Sequence, residues 1–283
     1  MDRLLVLRLE TSGVEAEGSL NGVPLLRVNV QRRVALLAVH EYALAGANRL
    51  LLTLRPPPPV GLAQPLAAEL CDGSAWARLQ LLLPRTGSVA HPDVARTVGQ
   101  LEWAPAADTV LEFPAQLEGD VNLPIAFPRW RWLDMPLIAA PNATAVVADK
   151  PAPALEALRA PLAAWLREMA LALARGDAAP LLQACRLRLE DQALAYQRPL
   201  ADLSQSVAQQ ISTLHALRPL KPVLHTAATL VLRPVAGGRL LECLGADGAP
   251  ALRAPSDAAV PDGDWVAWPL RVAQIDGRFY GVR

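Results

Sequence analysis

Residues 155–177, LEALRAPLAAWLREMALALARGD, carry the clearest structural pattern in this chain. Large apolar residues recur there at steps of three and four, at Leu158, Leu162, Trp165, Leu166, Met169 and Leu173. This spacing places them on one face of an α-helix, which therefore has one side to bury. Gly176 suits the left-handed position after a helix, and Asp177 suits the cap of the next helix.

Helical spacing continues beyond this stretch, and the pattern predicts two more helices. The second runs from about Ala178 to Tyr196 and stops before Pro199, because proline cannot continue a helix. The third is capped by Asp202 or Ser204 and continues to about Leu217. Strand patterns follow, separated in several places by Gly-Gly or Asp-Gly pairs, at Leu224 to Arg233, Arg239 to Leu244, Ala249 to Arg253, Trp265 to Ala273 and Phe279 to Arg283.

The residues before about 150 have a different pattern, in which short apolar runs are broken by turn-forming residues. The predicted strands are Arg3 to Glu10, Glu15 to Leu20, Leu25 to Val30, Val34 to His40, Arg49 to Leu54, Leu66 to Cys71, Trp76 to Leu83, Gly99 to Trp103 and Thr109 to Pro114. The sequence thus predicts an antiparallel β-sandwich domain over residues 1–120, a connector over 121–153, and an α+β domain over 154–283. In the α+β domain we expect about three helices packed on a curved antiparallel sheet.

Composition and charge exclude several classes of function. The 283 residues are 52% hydrophobic and 19% charged, which argues against a disordered chain and favours a partner for apolar surface. The formal net charge is zero, so no overall field attracts nucleic acid or an anionic membrane. We therefore expect a protein partner, with no nucleic-acid or membrane partner.

Cysteine usage and the N-terminal residues predict a cytoplasmic protein. Cys71, Cys185 and Cys243 are far apart and form no Cys-x-x-Cys motif, so neither a zinc site nor a disulfide framework is expected. The apolar run after Met1 is too short for a signal peptide, since Arg8 and Glu10 soon break it. We expect reduced, buried thiols and no cofactor or metal.

Two short motifs in the first half are shared with a known fold. The pair Asn21-Gly22 predicts a tight hairpin turn, and the segment from Val39 to Leu54 contains Gly46 and Asn48 before a strand. Residues 1–115 resemble the galactose-binding-like jelly rolls attached to many bacterial proteins. The resemblance implies a β-sandwich and a carbohydrate-binding role, in which Asn48 is either a ligand residue or a left-handed turn residue. The run Pro56 to Pro59 is either a polyproline recognition segment or a stiff surface loop.

The second half resembles another superfamily. The helix junction Ala172 to Asp177, ALARGD, and the last strand Ile275 to Arg283, IDGRFYGVR, are similar to motifs of nuclear transport factor two-like proteins. That resemblance covers residues 154–283 and implies a cone of helices and sheet. Some members are hydrolases, isomerases or cyclases that use a His, Asp or Tyr inside the cone, and many only bind proteins. This chain departs from the pattern because no short strand separates its second and third predicted helices.

Catalytic motifs with diagnostic spacing are absent from the sequence. It contains no Gly-x-Ser-x-Gly elbow, no His-Glu-x-x-His helix, no phosphate-binding loop and no dinucleotide fingerprint. The candidates for acid–base work inside the cone are His215 or His225 with Asp202 or Tyr196, since a neutral-pH base must share a pocket with its partner. The alternative is that both histidines are structural, with His225 alternating along a strand with Val223 and Ala227.

An aromatic and basic cluster lies within the predicted connector. Arg129, Trp130, Arg131 and Trp132 are residue types enriched in binding hot spots, so they are candidate partner-binding residues. The alternative is a plug between domains, in which Trp130 and Trp132 share one face of a short strand and are buried.

Three functions remain open from the sequence. The first is a non-catalytic interaction protein, such as an adaptor or an immunity-type partner in a bacterial secretion or toxin system. The second is a small-molecule binder or enzyme that uses the C-terminal cone. The third is a carbohydrate-binding module in the N-terminal sandwich.

Overall fold

A computed structural model describes residues 4–56, 68–70, 73–85, 87–106, 110–139, 153–255 and 265–283. The chain divides into two compact units, Met1–Arg129 and Trp130–Arg283, which we call the β-unit and the α+β unit. Several sequence predictions, including the loop Pro57 to Pro59, Cys71 and the segment 140–152 of the predicted connector, lie outside the described residues.

The β-unit contains two antiparallel four-stranded sheets. The first has the order β4-β1-β7-β8, from Val34–Ala38, Val6–Ser12, Trp76–Leu83 and Arg96–Trp103. The second has the order β10-β5-β2-β3, from Ala115–Leu123, Gly46–Arg55, Glu15–Leu20 and Val23–Val28. The short strands β6 (Ala68–Leu70) and β9 (Val110–Glu112) form a separate antiparallel pair. The predicted β-sandwich-like architecture is confirmed at this level.

Local sequence explains the hairpin between β2 and β3 and the close approach of the sheets. Asn21 and Gly22 both have positive φ, as a tight hairpin turn requires. Gly99 of β8 lies so close to the other sheet that a Cβ there would be 2.2 Å from Val121 Cγ2. Apolar residues of the facing strands, among them Leu9, Leu50, Leu79 and Val121, are buried. The alternation of apolar residues along the strands therefore points one face of each sheet inward.

The end of the β-unit differs from the sequence prediction. Ala115–Leu123 forms the long strand β10, paired with β5 over its whole length, whereas the last strand that the sequence predicts ends at Pro114 and the predicted connector begins at residue 121. Gly119 and Asp120 lower its strand propensity, which hid it from the residue pattern. The described part of the predicted connector divides between the two units at Arg129 and Trp130.

In the described part of the α+β unit there are four α-helices, rather than about three. They are α1 (Pro153–Leu173), α2 (Ala179–Ala184), α3 (Arg186–Tyr196) and α4 (Leu200–Leu217). The predicted second helix is interrupted at Cys185, against which Gly281 packs closely enough that a Cβ there would be 2.9 Å from Cys185 Sγ. As predicted, Gly176 has positive φ. The N-cap of α2 is Ala178 rather than the predicted Asp177, although Asp177 Oδ1 accepts the Ala179 amide. Neither Asp202 nor Ser204 caps α4, which begins directly after Pro199 with no side-chain cap.

The helices are followed by a four-stranded antiparallel sheet and a two-stranded one. The larger sheet has the order β11-β12-β15-β16, from Leu230–Val235, Leu240–Gly245, Arg271–Ile275 and Arg278–Gly281. The smaller one pairs β13 (Arg253–Pro255) with β14 (Trp265–Ala267). The predicted strand from Trp265 to Ala273 is thus two strands, because Pro269 between them has no amide to donate to a ladder.

Charged residues form a buried row across the larger sheet. Glu242 of β12 lies opposite Arg233 of β11 and Arg271 of β15, and it accepts hydrogen bonds from both guanidinium groups. A second buried pair joins Arg283 to Asp191 of α3 at 2.8 Å. These pairs satisfy charges that would otherwise be costly to bury.

The two cysteines that the structure describes, Cys185 and Cys243, are free and buried, as predicted. Burial and the neighbouring Glu242 raise the pKa of the Cys243 thiol to about 12. Both thiols therefore stay protonated and unreactive at neutral pH. In the described part of the chain no helix is long and apolar enough to cross a membrane.

Candidate functional site

An apolar stripe runs along the whole of α4. It consists of residues spaced by three or four positions, which we call the α4 stripe: Leu200, Leu203, Val207, Ile211, Leu214 and Leu217. Only Ile211 is buried, while Leu200 and Leu217 at the two ends are 41% and 80% exposed. A surface helix normally buries such a stripe against the rest of its domain. The α4 stripe is thus exposed at its two ends, whereas Val207 and Leu214 in its middle pack partly against the core of the α+β unit.

A small apolar cleft adjoins the middle of this stripe. Its volume is about 230 Å³, and Val207 contributes to its wall. Most of its lining is apolar, from Leu181, Leu182, Leu189, Trp268, Pro269 and Leu270, and its polar lining residues are Arg188, Gln192 and Gln210. We call it the apolar cleft. It is smaller than the roughly 300–1,000 Å³ of typical small-molecule sites, so its size suits one large side chain.

A second, more open cleft lies between α1, the start of α2 and the β15–β16 hairpin. Its volume is about 420 Å³, and its aromatic lining residues are Trp165, Phe279 and Tyr280. Glu168, Gln183 and Arg278 bring polar groups to the same cleft. We call it the aromatic cleft.

His215, a predicted acid–base candidate, has structural contacts. Its Nδ1 accepts the amide of Leu220 at 3.4 Å, just beyond the end of α4. Its ring also lies against Gly176, where a Cβ would be 2.9 Å from the imidazole. The imidazole therefore packs the end of α4 against the turn between α1 and α2, and it lines neither cleft.

His225, the other candidate histidine, does not lie in a strand as predicted. It precedes β11, in a turn where Leu230 donates its amide to Thr226. His225 Nδ1 lies 3.4 Å from Thr229 Oγ1, and the ring contacts the backbone near Gly245. The predicted alternation of His225 with Val223 and Ala227 along a strand is wrong, because residues 221–226 form no strand and the Val223 amide alone donates to β13, at the Arg253 carbonyl.

An ion pair lies near His225. Asp247 pairs with Arg253, whose guanidinium stacks 4.6 Å above the Trp265 ring. Burial raises the pKa of Asp247, but hydrogen bonds from Arg253 and from the Ala249 amide outweigh this effect and lower it. Asp247 is consequently a stable carboxylate at neutral pH, unsuited to act as a general acid.

Tyr196 and Asp202 do not join the histidines in one site. Asp202 is exposed in the first turn of α4, and His215 is thirteen residues further along the same helix, which corresponds to about 20 Å. Tyr196 is the last residue of α3. None of the four candidate residues lines either cleft. Among the residues that the structure describes, no group of three or more His, Cys, Asp or Glu side chains could hold a metal ion.

The candidate partner-binding residues Arg129 to Trp132 form no strand. Residues Arg131–Asp134 are a 3-10 helix, because Pro128 and Pro136 flank the segment and prevent it from joining a sheet ladder. Trp130 and Trp132 are only 1% and 3% exposed. Arg129 is exposed, and Arg131 pairs with Glu190. A partner could reach the two arginines but not the indoles, and the proposed plug role of the indoles stays a prediction.

Asn48, the candidate sugar ligand, is engaged in the fold of the β-unit. It lies within β5 rather than at a left-handed position, which Gly46 occupies instead. Its Oδ1 accepts the Leu44 amide at 2.7 Å and the Asn21 side-chain amide at 2.8 Å, and its Nδ2 donates to Leu44 and Gly46 carbonyls. The side chain is buried, so it offers no group to an external ligand.

The sequence patterns do not predict the two clefts, although some residues that line the aromatic cleft stand out in the sequence. Trp165 was assigned to the buried face of α1, where it is only partly buried. The aromatic pair Phe279-Tyr280 follows a predicted Asp-Gly turn, which places it beside the tip of a hairpin. No pattern joined these residues to α1, since more than a hundred residues separate them.

Comparison of the chain with known protein families, curated proteins and solved structures finds no match.

Proposed function

We propose that this chain is a non-catalytic protein-interaction protein, an adaptor that binds a polypeptide partner along the α4 stripe. The observation that carries the proposal is that this stripe is exposed at both ends, at Leu200 and Leu217, and that its middle meets the apolar cleft at Val207. Full burial of a leucine side chain contributes about 1.5–3 kcal/mol, so the exposed Leu200 and Leu217 leave a gain in free energy that a partner can realise by covering them.

The chemistry of the apolar cleft indicates what the partner presents. Its volume suits one leucine, methionine or aromatic side chain as an anchor, and such anchors dominate the energy of protein interfaces. Arg188 is the single charged residue among those that line the cleft. An acidic residue beside the anchor would therefore complement it.

The candidate acid–base residues lie far from one another, which favours this proposal over the enzyme alternative. His215 is used to pack the end of α4, and Asp202 lies at the opposite end of that helix. Many proteins of the nuclear transport factor two-like superfamily bind proteins without catalysis, so the resemblance of residues 154–283 is consistent with an adaptor. A carbohydrate-binding role for the β-unit has less support, because the side chain of Asn48 already forms hydrogen bonds within the fold.

Capture of the partner from an extract of the source cells tests the proposal. The whole chain is immobilised as wild type, as Val207→Asp and as Gln209→Asp. Gln209 is exposed on the face of α4 opposite to the stripe, so this variant is the matched control for adding a carboxylate. Circular dichroism checks that the three proteins have the same helix content.

We expect a protein that wild type and Gln209→Asp retain in near-stoichiometric amount and that Val207→Asp loses. With the purified partner, Val207→Asp should weaken the dissociation constant by roughly tenfold or more, as loss of a central apolar contact does. Retention of the same partner by a folded Val207→Asp protein, or failure of wild type to retain any protein, would refute the proposal.

A further inference from the structure

The aromatic cleft differs from the apolar cleft in size and chemistry. Its volume of about 420 Å³ falls within the roughly 300–1,000 Å³ that small-molecule sites occupy. It combines aromatic rings with a few polar groups, which is the usual composition of a site that fixes the orientation of a small ligand. The α4 stripe contributes no residue to it, so the two surfaces can be tested separately.

The aromatic rings are held in place by the core of the α+β unit. Trp165 and Phe279 pack partly against that core, and Met169 at the cleft is buried. The centroids of Trp165 and Phe279 are 6.0 Å apart, and their planes are inclined by 57°. They therefore form two adjacent walls whose open surfaces need no rearrangement to receive a ligand.

Tyr280 is held by a cation. The Arg186 guanidinium lies 5.4 Å from the centroid of the Tyr280 ring, close enough for a cation–π contact. This contact fixes the ring while the residue still lines the cleft.

The polar lining selects against charged ligands. Glu168 and Arg278 are exposed residues of opposite sign on different elements, α1 and β16, and in the described part of the chain neither forms an ion pair. An anion attracted by Arg278 would meet the carboxylate of Glu168, and a cation attracted by Glu168 would meet Arg278. Hydroxyl groups avoid this conflict, because they can donate to the carboxylate, accept from the guanidinium and do either with the Gln183 amide.

We infer that the aromatic cleft is a binding site for a neutral saccharide. The C–H groups on one face of a sugar ring carry a small positive potential, which is attracted to the negative face of an aromatic ring such as Trp165 or Phe279. Hydroxyls at the ring edge then reach Glu168, Gln183 and Arg278. This site lies in the α+β unit and is distinct from the sandwich site that the sequence resemblance implies.

Saturation-transfer difference NMR tests the inference with the whole chain. The probes are glucose, galactose, mannose, N-acetylglucosamine and their disaccharides at millimolar concentration, with glucuronate and glucosamine as charged counterparts. The variants are Trp165→Ala, Glu168→Gln and Arg278→Gln. Arg167→Gln is the control, because Arg167 is exposed on α1 next to Glu168 but does not line the cleft.

At least one neutral saccharide should receive saturation from wild type and from Arg167→Gln. The signal should fall at least fivefold in Trp165→Ala and severalfold in Glu168→Gln and Arg278→Gln. If Trp165→Ala fails to fold, Glu168→Gln and Arg278→Gln test the inference instead. Both replace exposed side chains that do not support the core, so these two variants should fold. The inference is overturned if no neutral saccharide gives a signal, if a charged counterpart is preferred, or if both polar variants bind as wild type.

Discussion

Replacing Gly99 with alanine should destabilise the β-unit, because Gly99 of β8 lies close to Val121 of the other sheet. A Cβ at this position would be 2.2 Å from Val121 Cγ2, and 3.3 Å from Val121 Cβ and Leu50 Cδ1. Carbon atoms in favourable contact are about 3.5–4.0 Å apart. Val121 is buried and β-branched, so its stiff χ1 angle leaves little room to move the methyl group away.

The magnitude follows from two opposing effects. Overpacking of this kind costs about 1–3 kcal/mol. Alanine also restricts the unfolded chain more than glycine does, which stabilises the folded state by about 0.4–1 kcal/mol. We therefore expect a net loss of about 1–2 kcal/mol in the free energy of unfolding. Gly18→Ala should cost less, since its closest contact, at 2.6 Å, is the flexible Cδ1 end of Leu79.

A double-mutant cycle measured by urea denaturation isolates the contact. Val121→Ala alone leaves a cavity, but in Gly99→Ala/Val121→Ala the new methyl group occupies the vacated space. The double variant should consequently be more stable than the sum of the single effects predicts, by about 1 kcal/mol or more. Simple additivity of the two losses would show that Gly99 and Val121 do not face each other, and would refute the packing of the two sheets described above.

Two further substitutions test the charged groups. Glu242→Gln leaves the buried Arg271 and the partly buried Arg233 without their carboxylate and should cost about 3–5 kcal/mol in urea titrations. Glu102→Gln, which weakens the partly exposed pair with Arg78 and the hydrogen bond from Gln100, should cost under about 1 kcal/mol. Equal losses would contradict the burial of Glu242. Glu15→Gln should raise the thermal midpoint at pH 7, because burial, only partly opposed by Arg55, raises the pKa of Glu15, so that its charged form disfavours folding. This increase in the thermal midpoint should vanish below the ordinary pKa of glutamate, where the carboxyl is protonated in both the folded and the unfolded chain. An increase that persists at such low pH would contradict the raised pKa of Glu15.

Local residue patterns were sufficient wherever one segment specifies its own conformation. Asn21-Gly22 forms the predicted tight turn, Gly176 ends α1, and Asp177 accepts the first amide of α2. The stripe of α1 from Leu158 to Leu173 indicated correctly which face packs inward, since a period of 3.6 residues is a property of the helix itself.

Local residue patterns gave wrong predictions where contacts with a distant segment determine the secondary structure. The continuous helical pattern from Ala178 to Tyr196 is broken at Cys185, beside the closely packed Gly281. His225 lies before the turn that leads into β11 rather than in a strand, although the residue types of its segment allow one. Strand β10 forms despite Gly119 because β5 supplies a complete ladder, and the missing Cβ lets Leu101 pack against it.

The sequence by itself determined the succession of elements: a β-rich first half, a block of helices and a final set of hairpins, because turn chemistry and hydrophobic periodicity act within a few residues. The tertiary structure alone decided which side chains share a surface. It joins Trp165 of α1 with Phe279 and Tyr280 of the last hairpin in one cleft, and it leaves Leu200 and Leu217 exposed at the two ends of the α4 stripe. The physical reason is that burial depends on which surfaces meet in space, and this information is distributed over residues far apart in the chain.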